Sequence, residues 1–120
     1  MSTIRVTTIQ NLAGVEVYTA KAWVNFNGTG TVAIRASGNV SSITDNGTGD
    51  YTVNFTVAMT DANYSMAGLA LTSNTALARF FISNTSAVSY APATGSARIA
   101  TIQSGVGNTD VEYAYISVFR

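Results

Sequence analysis

The chain has no cysteine and no histidine, one proline, and six basic against six acidic residues in 120. Without cysteine there is no disulfide, no thiolate metal site and no thiol nucleophile. Without histidine there is no imidazole to act as a base or ligand at neutral pH. A serine hydrolase therefore lacks its usual base, and the G-x-S-x-G turn that presents such a serine does not occur. The formal net charge is zero, so no basic footprint favours nucleic acid and no cationic face favours an anionic membrane. No segment approaches the roughly 18 apolar residues of a membrane-spanning helix, and MSTIRVTTIQNLAG lacks the apolar centre of a signal peptide. These absences predict a soluble protein made in the cytoplasm, not an enzyme, with no cofactor and no metal.

What is present is strand and turn chemistry. Tyr51, Val53, Phe55 and Val57 alternate with Thr52, Asn54 and Thr56, the period of a half-buried strand. Ala22, Val24 and Phe26 alternate with Trp23 and Asn25, Asn27-Gly28-Thr29-Gly30 supplies a turn, and Val32 and Ile34 resume the pattern, so a hairpin is expected over 21–36. Asp45-Asn46-Gly47-Thr48-Gly49-Asp50 offers positive-φ positions and a bulge between 40–44 and 50–57, a second hairpin. Further strands are predicted at 64–71, 78–83, 98–102 and 111–119, and Pro92 falls in a loop where it breaks no ladder. Seven to nine short strands about ten residues apart, with no amphipathic helix, predict an antiparallel β-sandwich or jelly-roll-like barrel. Residues 1–20 form either an edge strand or an extended N-terminal arm, and 21–120 the sandwich domain.

The last strand carries apolar residues on both faces: Val111, Tyr113, Tyr115 and Phe119 alternate with Ala114, Ile116 and Val118. One face packs on the opposing sheet, which leaves the other for a partner subunit. Trp23 falls out of register with Ala22, Val24 and Phe26, so it either caps the core or anchors an interface, where Trp and Tyr are enriched. Trp23, Tyr113, Tyr115 and Phe119 are accordingly the candidate subunit interface. The residues alone allow a dimer or a trimer.

Other motifs carry less. DNGTGD has the oxygen content of a calcium loop but only two carboxylates and not the required spacing, which favours a turn. Asp110 and Glu112, expected on one face of a strand, read as strand-end charges rather than a general acid and base pair. The Asn-, Ser- and Thr-rich second half is better placed for ligand contact, because amides and hydroxyls adapt to many hydrogen-bonding partners and aromatic faces stack on sugar rings. Asn74, Asn84, Tyr90 and Asn108 are the candidates there, with Tyr90 equally readable as a strand-end core residue.

KAWVNFNGTGTVAIR, NVSSITDNGTGDYTVNFT and DANY, within residues 21–64, closely resemble a small β domain of tail fibres and other exposed structural proteins of tailed bacteriophages, notably phages of cyanobacteria and other aquatic bacteria. The N-terminal MSTIRVTTIQNLAG and the closing AYISVFR resemble the same group more loosely. Thr60 departs from the pattern, since proline commonly precedes DANY, and residues 72–108 match nothing in it. The resemblance implies a virion structural protein on the tail or capsid surface, assembled in the host cytoplasm as a homotrimer about a threefold axis. By the same resemblance Ile4, Val6 and Ile9 would attach it to another virion protein of the baseplate or capsid, and its loops would contact the host surface, a glycan above all. A capsid decoration or head-fibre protein that stabilises the shell is the alternative.

Overall fold

The computed structural model describes residues 7–8, 10, 12–14, 18–72, 77–81 and 91–120, the stretch 77–81 through its strand pairing. Nine strands and no helix are found among them: β1 Ala22–Asn27, β2 Ala33–Gly38, β3 Val40–Gly47, β4 Asp50–Phe55, β5 Ser65–Leu71, β6 Leu77–Phe81, β7 Ser96–Gln103, β8 Gly107–Asn108 and β9 Tyr113–Phe119. Every pairing is antiparallel, and the ladder runs β2-β1-β9-β5-β6-β7-β4-β3 with β8 hydrogen-bonded to β7. Between β5 and β6 only Ala70–Ala78 and Leu71–Leu77 pair. The ladder folds over at this narrow join into two four-stranded sheets, β2-β1-β9-β5 and β6-β7-β4-β3, packed as a sandwich.

The predicted alternation builds the core directly. Ala22, Val24 and Phe26 of β1 and Ala114, Ile116 and Val118 of β9 turn inward from one sheet. Tyr51, Val53 and Phe55 of β4 and Ala97 and Ile99 of β7 turn inward from the other. Phe26 meets Tyr51 edge to face across the gap, with ring centroids 5.2 Å apart at 72°. Each fully buried side chain of this size contributes about 1.5–3 kcal/mol, and the edge-to-face geometry adds about 1 kcal/mol by placing the positive ring edge on the negative face.

The hairpin β3–β4 turns through Thr48-Gly49, and the positive φ falls on Gly47 and Gly49 rather than on Asn46, with a register shift between Asp45 and Gly47. Four expectations need correction. Val57 does not continue the inward row of β4 and is 68% exposed, because the strand stops at Phe55 and the next two amides turn aside, Thr56 to the Asn39 carbonyl and Val57 to the Asn39 side chain. Val111 is buried but precedes β9, its carbonyl held by the Gly28 amide. Asp110 and Glu112 consequently lie outside any strand and share no strand face. Gly107–Asn108, expected as loop, pairs with Ile102 and Gln103 as the short strand β8.

Candidate functional site

Among the described residues the two outer faces of the sandwich differ sharply in chemistry. On β3, β4 and β7 the outward rows are Ser42–Asn54–Ser96 and Thr44–Thr52–Arg98. They are knitted by hydrogen bonds: Asn54 Nδ2 donates to Ser42 Oγ (3.1 Å) and Thr44 Oγ1 (2.9 Å), and Asn46 Nδ2 donates to Thr52 Oγ1 (2.8 Å). Arg98 closes the face with a bidentate pair to Asp50, 2.8 Å from Nε and 2.6 Å from Nη2. This is a surface built to meet water.

The outer face of β2-β1-β9-β5 is built otherwise. Its cross-strand rows are Gly38–Trp23–Ser117–Ala67, Ala36–Asn25–Tyr115–Leu69 and Tyr113–Leu71, with Phe119 opposite Ser65 at one end. Trp23 is 43% exposed, Leu69 52%, Tyr115 37% and Phe119 42%. Tyr113 and Tyr115 stack with centroids 6.3 Å apart. Among the strand residues of this sheet the only charge is Arg35. It is folded onto the same face, with its guanidinium 4.4 Å from the Tyr113 ring centre and Nη1 donating to Asn25 Oδ1 at 3.3 Å. The Trp23 indole packs against Gly38, where a Cβ would come within 2.8 Å of the indole Cδ1. Glycine at this register position thus gives the indole its seat.

Trp23 therefore does not cap the core, because its neighbours in sequence occupy the inward positions and the alternation of the strand turns it out. With Tyr113, Tyr115 and Phe119 it is gathered onto one face. Arg35, Gly38, Ala67 and Leu69 belong to the same face and were not singled out from the sequence. A readable signal existed in β5, where SMAGLAL contains no charged residue at all and so has no conspicuously solvated side.

The remaining candidates are dispersed. Asn108 is exposed on β8, on the edge of the other sheet. Asn74, Asn84, Tyr90, Ile4, Val6 and Ile9 lie outside the described residues. The residues of DNGTGD are engaged separately. Asp45 accepts the Gly47 amide (3.0 Å), Asn46 binds Thr52, and Asp50 binds Arg98. Among the described residues no three acidic side chains gather at one point. In DANY, Asp61 accepts the Asn63 amide (2.8 Å) and pairs with Arg120, while Tyr64 is buried against Phe55 with its hydroxyl 2.9 Å from the Ala93 carbonyl. These motif residues shape turns and core. Comparison with protein families, curated proteins and solved structures returned no match.

Proposed function

We propose that the chain is a virion structural protein of a tailed bacteriophage, the sandwich knob of a short tail fibre or receptor-binding protein that contacts the host surface through a glycan. The observation that carries it is the contrast between the two outer faces. Exposed contiguous apolar patches larger than a few hundred Å² mark interaction surfaces, and here the outward rows of β3, β4 and β7 carry Ser, Thr, Asn and Arg98 while the β2-β1-β9-β5 face presents Trp23, Leu69, Tyr115 and Phe119. In a homotrimer the aromatic face would turn toward the other copies. The formal net charge of zero, and the confinement of charge among the strand residues of this face to Arg35, which lies over the Tyr113 ring, leave little like-charge repulsion between copies. The resemblance of residues 21–64 to phage fibre domains supplies the biological setting.

Immunogold labelling of intact virions with antibody to this chain tests the proposal. Gold at the tail end is expected. Gold over the head would replace the fibre with a capsid decoration protein, and unlabelled virions would end the proposal.

A further inference from the structure

Asn-Gly occurs twice in the chain, at Asn27-Gly28 and Asn46-Gly47, each time where a strand ends. Glycine carries no Cβ to shield its amide nitrogen, and asparagine is among the thermolabile residues, so in this pair the side chain closes readily onto the backbone that follows it. The fold treats the two copies differently. We propose that Asn46 is a self-modification site, where the chain deamidates without any enzyme to aspartate and isoaspartate, while Asn27 is shielded from the same reaction. This site is independent of the virion assignment.

Water and hydroxide are the only co-reactants. Hydroxide removes the Gly47 amide proton, and the nitrogen attacks Asn46 Cγ. The Cγ–Nδ2 bond then breaks, and Nδ2 leaves as ammonia with a proton from water, which returns the hydroxide. Water opens the resulting succinimide at either carbonyl, giving aspartate or isoaspartate. Nothing is oxidised or reduced.

Geometry decides which copy reacts. Gly28 is buried, its amide donates to the Val111 carbonyl at 2.7 Å, and its carbonyl accepts the Tyr51 hydroxyl at 3.0 Å. Asn27 Oδ1 accepts both the amide and the hydroxyl of Thr29, at 2.9 and 2.7 Å. Freeing the Gly28 nitrogen therefore means opening one end of the core. Asn46 is placed otherwise. Asp45 pairs with Tyr51 and Gly47 with Asp50, so Asn46 is the inserted residue of a bulge and stands opposite no partner. Asn46 and Gly47 are exposed, and the space beside the Gly47 Cα is open. The Gly47 amide donates to the Asp45 carboxylate at 3.0 Å and Asn46 Nδ2 to Thr52 Oγ1 at 2.8 Å, both at the surface, where water competes for each partner. The product is also tolerated. Among the described strands β3 pairs with β4 alone, and the extra backbone carbon of isoaspartate falls where that ladder already shifts register. The new carboxylate joins a chain with six residues of each sign, so the product is acidic.

Incubation of the folded protein in mildly alkaline buffer, followed by peptide mapping with mass spectrometry, tests this. Asn46 should lose its amide about tenfold faster than Asn27, the ratio that an opening cost of about 1.4 kcal/mol at Gly28 imposes. In strong urea, where that protection is gone, the two rates should converge. Asn46→Gln, whose longer side chain closes its ring far more slowly, should abolish the acidic form that accumulates in wild type on ion exchange. Equal rates at Asn27 and Asn46 in the folded protein would overturn the proposal. So would an Asn46 that keeps its amide in the folded protein over the period in which the unfolded chain loses it, or an acidic form that grows unchanged in Asn46→Gln.

Discussion

The Tyr51 hydroxyl, deep between the sheets, lies 2.9 Å from a carboxylate oxygen of Asp110 and 3.0 Å from the Gly28 carbonyl, so one proton serves two acceptors. The same Asp110 oxygen accepts the Gly49 amide at 2.9 Å. Three turns, at 28, 49 and 110, are pinned together by one phenol and one carboxylate far apart in sequence. Burial first, and the adjacent Asp110 second, push the Tyr51 pKa far above its ordinary value of 10.0.

Tyr51→Phe should therefore destabilise the protein by about 1–3 kcal/mol, because it leaves part-buried acceptors without their donor while keeping the ring contact with Phe26. Urea unfolding at neutral pH measures this. The pH dependence has a definite sign. A raised folded pKa means that the unfolded chain releases this proton first, so stability is fully present below about pH 10 and falls as pH climbs through the unfolded and then the folded value. Tyr64 is raised by burial too and adds to the alkaline loss. Wild type should lose stability more steeply above pH 10 than Tyr51→Phe, and parallel curves would refute the role given to this hydroxyl.

Gly49 adjoins this lock. Its φ of +62 is unfavourable for residues with a Cβ, and an added Cβ would stand 2.6 Å from the Thr101 carbonyl and 2.9 Å from that of Thr109. The Gly49 carbonyl itself accepts the Thr101 amide, so the backbone has nowhere to retreat. Gly49→Ala should cost about 2 kcal/mol or more, from left-handed strain and overpacking together. Gly47→Ala, with open space around it, should cost less despite its own positive φ. A thermal melt of the two variants side by side decides the order.

The architecture was legible wherever alternation was strict. β1, β4 and β9 alternate a buried residue with a more exposed one, and these three strands supply most of the core. Legibility ended where a distant partner decides the outcome. Val57 looks like the next inward residue of β4, yet Asn39, 18 positions away, captures its amide and turns it to solvent. Gly107–Asn108 reads as loop because two residues have no period, and it is a strand only because β7 offers a free edge. The outer face was half visible for a related reason. Trp23 and the tyrosines announce themselves, but Leu69 and Gly38 join them only through cross-strand register, which depends on the pairing of β9 with both β1 and β5. A recess between Lys21, Asn39, residues 57–60 and Arg120 was not legible, since its walls come from four separate stretches of chain.

Asp61 and Arg120 test how far an exposed pair can shift a charge without stabilising much. The Arg120 hydrogen bonds first, then the Asn63 amide, pull the Asp61 pKa down to about 2. A depressed folded pKa contributes stability above the unfolded value of 3.8 that is lost as pH falls toward 2, but surface ion pairs are worth little after solvent screening. NMR titration should find Asp61 near 2 in wild type and displaced toward 3.8 in Arg120→Gln, with nearly unchanged thermal stability at pH 7. An Asp61 that titrates near 3.8 in the wild type would show that the pair does not persist in solution.

The aromatic face makes the most direct demand on experiment. Trp23 rests on Gly38 at the outside of the sheet, so in an isolated copy Trp23→Ala removes a half-exposed ring and disturbs the core little. Between copies the same truncation removes a central aromatic anchor, and such anchors typically cost about 2 kcal/mol or more when cut to alanine. Sedimentation equilibrium should therefore find wild type at three times the 12.5 kDa protomer mass, and Trp23→Ala and Leu69→Lys shifted toward the single protomer at equal concentration. Circular dichroism should show that both variants keep the β fold. Thr52→Lys, on the Ser, Thr and Asn face, serves as the control and should leave the mass unchanged. If wild type sediments as one protomer at micromolar concentration, the aromatic face does not join copies of this chain. If Thr52→Lys dissociates the assembly and Trp23→Ala does not, the copies meet through the other sheet.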